Sequence, residues 1–348
     1  MITKFTKYCL LLVFVASISN DLVVAQNGGF AAAATRIGYG PRALSMGNAF
    51  TATTSEGIYP YYNPALAAEK TGFNQFDLSV SSLEFDRVYQ TIGTNFKLPP
   101  SAGLSFGLIR TGVKDIDERS LSGYPLGNFN IAEYQFFTTF GIKFSSKFNA
   151  GITFKLNYAN YHDELPAASS VGVDLGILYK ITNHLNFGFT IQDMFANYTW
   201  NSSDLYGTIQ ARNVVNTFPT RFKWGLSYQR ESFTIASEFE IQSYLSEVTS
   251  REIFIEGTST PSIIESIDDI STNSGILRIG GSWKLHERFT LRGGYRITDT
   301  TTLNSGSVSS GFSIHLPFDT FAPSIDYAFV IEPYNVANMH VFALRLNL

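Results

Sequence analysis

Cysteine is almost missing from this chain: 348 residues hold one, Cys9. A disulfide framework is excluded, and so is a metal site built from several thiolates. Long apolar runs are missing too. The run Leu10 to Ala16 falls well short of the roughly 20 residues a spanning helix needs, and no later segment reaches that length. Charged residues make up 16% of the chain, the net charge is −4, and there is no basic run, which argues against nucleic acid as a partner. HExxH and a cysteine nucleophile are absent. The five histidines, at 162, 184, 286, 315 and 340, show no metal-ligand spacing. No catalytic residue, metal site or cofactor is assigned.

Aromatics and glycine are plentiful, with Phe 30, Tyr 18 and Gly 28 at a mean hydropathy of +0.02. Such a chain suits a sheet with one greasy and one wet face. Residues 1–25 read as a secretory signal peptide that is cleaved: Lys4 and Lys7 precede the apolar run, and Val23-Val24-Ala25 supplies small residues before Gln26.

From about Gly72 onward, residues alternate with a period of two. Tyr134, Phe136, Thr138, Phe140, Ile142 and Phe144 oppose Glu133, Gln135, Thr139, Gly141 and Lys143. Phe222, Trp224, Leu226 and Tyr228 oppose Lys223, Gly225, Ser227 and Gln229. About fourteen such strands are expected, each long enough for a tilted spanning strand. Short turns such as 145–147 and 182–184 alternate with longer loops near 113–130, 197–218 and 248–272. The fold expected is all-β: a transmembrane antiparallel barrel over 72–348. An even strand number puts both termini on the periplasmic side of an outer membrane, where lipid surrounds the wall. The last strand, with His340, Phe342, Leu344, Leu346 and Leu348 on one face, resembles the assembly signal of such barrels.

Residues 26–71 do not alternate and are expected to form a hatch in or under the barrel. Its candidate gating residues are Gly38, Gly40, Pro41, Gly47, Asn48, Tyr62, Asn63 and Pro64. Gly38 to Ala43 match the dinucleotide fingerprint G-x-G-x-x-A, but without a βαβ unit the match is set aside. On the wet strand face, Lys143, Lys155, Asp174, Lys180, Lys223, Glu238, Glu240, Arg292 and Arg296 form a candidate lumen charge network. Glu238 and Glu240 have the spacing of paired carboxylates, yet pairing with bases inside the lumen accounts for them as well.

The wording RALSMGNAFTA at 42–52 and YYNPAL at 61–66 resembles the N-terminus of the FadL superfamily of outer-membrane barrels, most closely its PorV/PorQ branch. The superfamily implies a 14-stranded barrel with a luminal hatch. The branch implies a non-enzymatic component of type IX-like secretion that meets a translocon or exported cargo protein. The alternative is passive transport of long-chain fatty acids or other hydrophobic small molecules, gathered by Phe195, Tyr198, Trp200, Tyr206 and Phe218.

Overall fold

The computed structural model describes residues 31–57, 59–69, 74–163, 165–201, 214–254, 262–298, 306–316, 322–332 and 337–348, with backbone alone at 214, 244–254 and 262–272. The leader expected over 1–25, and Tyr206, lie outside the described residues.

Sixteen strands follow one another: β1 (Gln75–Leu83), β2 (Arg87–Leu98), β3 (Ala102–Arg119), β4 (Pro125–Lys143), β5 (Phe148–Asn160), β6 (Ala168–Lys180), β7 (Leu185–Met194), β8 (Asn197–Trp200), β9 (Val214–Thr217), β10 (Thr220–Gln229), β11 (Phe233–Phe254), β12 (Ser262–His286), β13 (Phe289–Ile297), β14 (Gly306–His315), β15 (Ser324–Ile331) and β16 (Asn338–Asn347). All but β8 and β9 form one closed antiparallel barrel of fourteen strands, sealed by β1 pairing with both β2 and β16. The expected count is met, and closure leaves no unpaired edge for lipid to meet.

The period of two sets the wall's two faces. On β4 and β5, Phe136, Phe140, Phe154 and Leu156 stand outward and exposed, whereas Gln135, Thr139, Thr153 and Asn157 point inward and are buried. A greasy exterior around a wet interior fits a wall surrounded by lipid. Thr139 and Thr153 face each other in register and share a 2.6 Å hydrogen bond.

One rim, the turn rim, carries the short connections at 99–101, 144–147, 181–184, 230–232 and 287–288. The opposite rim, the loop rim, differs from expectation. Residues 113–130 and 248–272 are largely strand: β3 and β4 stay paired to Arg119 and Pro125, and β11 and β12 pair from Phe233 and Trp283 out to Phe254 and Ser262. Neighbouring β10 reaches only Ser243 and β13 only Leu277, so the β11–β12 ribbon runs on beyond the wall. Polar, turn-forming residues hid these extensions, because a two-stranded ribbon in water needs no apolar face. Within 197–218, β8 pairs with β9.

The wall has one inward irregularity of consequence. Val173 pairs with Met194 and Leu175 with Ile191, so Gln192 and Asp193 together oppose Asp174, and Asp193 adopts φ 61°. Such a bulge re-aims a side chain. Here it turns Asp193 into the lumen.

Residues 31–69 fill that lumen. A 3-10 turn (Ala33–Arg36), a short helix α1 (Pro41–Ser45) and a second 3-10 turn (Pro64–Ala68) are joined by irregular chain. Ala31 and Ala32 pack near the loop rim with Ala159, Ala168, Tyr198, Trp200 and Phe218, and the segment descends to the turn rim, where Leu348 also lies. The expected placement of both termini on one side concerns residues before Ala31, outside the described residues.

Candidate functional site

The luminal segment approaches the wall more closely than side chains allow, and glycine on the wall makes room. Gly103, Gly141, Gly151 and Gly176 pair across β3 to β6, so they share one face and one level. A Cβ added to any of them would come closer than 3.0 Å to atoms of the turn Asn63–Ala68. The line continues with Gly188 and Gly225 against Thr51, then Gly280 and Gly294 against Met46 and Gly47. Backbone therefore rests on backbone around much of the circumference. In the sequence these glycines look like ordinary inward positions. Their alignment depends on strand register, which no single strand reveals.

The eight expected hatch residues all lie in this segment and shape its path. Gly38 and Gly40 adopt φ 140° and 74°, and Pro41 begins α1 behind Gly40. Gly47 (φ 63°) fits against the Tyr295 backbone and donates its N–H to Ser309 Oγ at 3.0 Å. Asn48 Nδ2 donates to Ile37 O at 2.9 Å, and its Oδ1 accepts from the Tyr62 hydroxyl at 2.7 Å. Asn63 Nδ2 donates to Thr51 O at 2.8 Å and to wall residue Ile177 O at 2.9 Å, while Oδ1 caps the 3-10 turn by accepting from Ala65 N at 3.0 Å. Pro64 follows as the first residue of that turn and rests on Gly151 and Gly176. Tyr39, Phe50, Tyr59, Tyr61 and Tyr62 form a buried aromatic cluster with wall residues Tyr89 and Phe137.

Charges fasten the segment. Glu238 Oε2 accepts from the backbone N–H groups of Phe50 (3.2 Å) and Thr51 (3.0 Å) and from Thr51 Oγ1 (2.7 Å). Its other oxygen meets Arg278 Nη1 at 2.8 Å, and the same nitrogen lies 2.7 Å from Glu240. Lys223 completes this group, 3.5 Å from Glu240. The two carboxylates are thus shared around a guanidinium, as expected for lumen packing. Arg292 meets Glu56 at 2.6 Å, and the Glu56 carbonyl accepts from Arg42 and Arg345. Burial alone would raise the Glu56 carboxyl, but Arg292 and Arg42 outweigh it and hold it below the ordinary glutamate range. Lys155 lies 2.7 Å from both Asp174 and Asp193, Arg221 meets Asp193 at 2.6 Å, and Lys180 meets Glu69 at 2.8 Å. Two expected members stay outside the network: Lys143 and Arg296 pair with no carboxylate among the described residues.

Sequence reasoning missed Arg42, Glu56, Asp77, Asp193, Arg221, Arg278, Asp326 and Arg345. Arg221 shares its face with Lys223, and Arg345 and Asp77 sit opposite each other in register, so alternation carried a signal for the strand members. Arg42, which meets Asp326 at 2.9 Å, and Glu56 lie in irregular chain, where no period applies.

Tyr198, Trp200 and Phe218 were expected to gather ligand outside the barrel. They are buried against Ala31 and Ala32 instead, and among the described members of that set only Phe195 stands exposed. Tyr198 and Trp200 belong to β8, which begins three residues after Met194 and the bulge at Asp193, and Phe218 directly follows β9.

Above α1, beneath the loop rim, lies a cavity of about 210 Å³. Ile37, Leu44, Val330 and Met339 form its apolar wall, and Arg36, Arg87, Arg296 and Glu332 bring charge to it.

No family model and no curated protein matches the sequence. Solved structures do match in fold. The Ralstonia pickettii toluene transporter TbuX is 12% identical with a TM-score of 0.58, covering 89% of this chain and 97% of its own. The Pseudomonas putida toluene transporter TodX has the same score and coverage at 14% identity. A Pseudomonas aeruginosa FadL homologue is 11% identical with a TM-score of 0.52, covering 88% and 96%. At these identities the likeness concerns the fold alone, a closed antiparallel barrel.

Proposed function

We propose that this chain is a non-enzymatic outer-membrane channel that passes small hydrophobic molecules, with the loop rim outside and the turn rim in the periplasm. The observation that carries this reading is the cavity under the loop rim, whose Ile37, Leu44, Val330 and Met339 wall offers an apolar surface inside the barrel. The fold comparisons agree with it, since the matching proteins are described as toluene transporters and a FadL homologue. In this reading Gly38, Gly40, Pro41, Gly47, Asn48, Tyr62, Asn63 and Pro64 fix the path of the hatch and so set the floor of the cavity. The expected charge network then holds that floor in place.

Uptake of labelled toluene by cells lacking their own hydrocarbon channels tests the proposal. Cells carrying the assembled barrel should accumulate the label faster than cells without it. Equal rates, with the barrel demonstrably assembled, would remove the channel reading.

The secretion reading draws on one further observation, the β11–β12 ribbon that continues past the wall and offers a surface to an exported protein or translocon. Shortening that ribbon should then impair display of secreted proteins and leave toluene uptake unchanged. Unimpaired display would leave the secretion reading without support.

A further inference from the structure

We infer that the cavity beneath the loop rim is a binding site for a small hydrophobic carboxylate, a single-ring or short-chain acid, with Arg296 as its anchor. The inference rests on the channel reading above and narrows its substrate class.

Arg296 projects from β13 into the cavity, yet its guanidinium has no hydrogen bond or ion pair among the described residues, and its Nε is buried without a partner. The other polar groups there are engaged. Arg87 grips Glu332 with two hydrogen bonds, at 3.1 and 2.8 Å. Arg36 Nη1 donates to Ala31 O at 2.6 Å, and both polar atoms of the Asn48 side chain are bonded. Three guanidiniums against the one carboxylate of Glu332 leave the cavity with a net charge of +2.

A neutral hydrocarbon can occupy this space but gives the half-buried Arg296 guanidinium no partner, so it binds less tightly than a ligand that does. A carboxylate offers two coplanar acceptors that match the guanidinium fork. Its apolar body would lie against Ile37, Leu44, Val330 and Met339. The volume bounds that body: about 210 Å³ is the room of roughly seven waters at about 30 Å³ each. One aromatic ring or a short chain fits; a long acyl chain would protrude into solvent.

Calorimetric titration of the detergent-solubilised full chain with 4-methylbenzoate and with toluene, its neutral counterpart, tests the site. The wild type should bind 4-methylbenzoate more tightly than toluene, a comparison that needs no variant. Arg296→Gln should weaken 4-methylbenzoate about tenfold or more and leave toluene unweakened. Arg296→Lys should restore part of the loss, and Lys143→Gln, at the turn rim, should change neither. Equal binding of the two probes, or 4-methylbenzoate binding that ignores Arg296→Gln, would overturn the carboxylate site while leaving the channel reading standing. Binding of neither probe to the wild type would remove both.

Discussion

The luminal segment is packed against the wall along its length but, among the described residues, leaves space only at one of its ends. At the turn rim, residues 63–68 press backbone onto the aligned glycines of β3 to β6, and Asn63 spends its side chain on three hydrogen bonds, one of them to the wall. Under the loop rim, α1 is tied to β14 and β15 through Ser45 and Arg42, and above it opens a cavity with an arginine unpaired among the described residues. Dense packing with satisfied polar groups holds a structure in one arrangement, whereas open space with an unmatched charge leaves room for something to bind. The lower half therefore serves as a fixed base and the upper half as the receiving surface.

Substitutions in the base should produce the larger effects. Gly151→Val places three carbon atoms where the Pro64 backbone already lies, and neither the strand nor the proline turn has room to retreat. The expected outcome is loss of the assembled barrel, read as disappearance of the heat-modifiable folded band. Folding of this variant with wild-type stability would show that the base is not keyed to the wall. Next in size is Glu238→Ala, which leaves Arg278 to Glu240 alone and frees the N–H groups of Phe50 and Thr51. Breaking a buried pair of this kind costs about 3–5 kcal/mol, to be read from the denaturant midpoint. Asn63→Ala removes a cap and two ties, an effect of about 1–2 kcal/mol. The same measurement on it should give a smaller shift with the barrel still closed.

The wall was legible in the sequence because a barrel strand writes its two faces into alternate residues. Phe136 against Gln135, and Trp224 against Lys223, carried that information directly. The luminal segment showed in the sequence as an interruption of the alternation, and the eight residues proposed for it lie within it. Its contacts were not legible. Glu238 appeared as half of a carboxylate pair, and only three-dimensional proximity reveals it as the acceptor for the turn at Phe50 and Thr51. The bulge at Asp193 escaped because one inserted residue barely disturbs a local pattern, although it turns Asp193 into the lumen. Arg296 was grouped with the lumen charges by its face, but its lack of a partner among the described residues is a property of its surroundings.

A tether across the base tests the division between fixed base and receiving surface most directly. Ser55 Oγ lies 2.8 Å from Thr234 Oγ1 on β11, so Ser55→Cys with Thr234→Cys, in a Cys9→Ser background, should form a disulfide between the segment and the wall. Toluene uptake should then be the same in the oxidised and the reduced barrel, because the base has no need to move. Uptake that stops on oxidation and returns on reduction would contradict a fixed base and make the whole segment a moving gate.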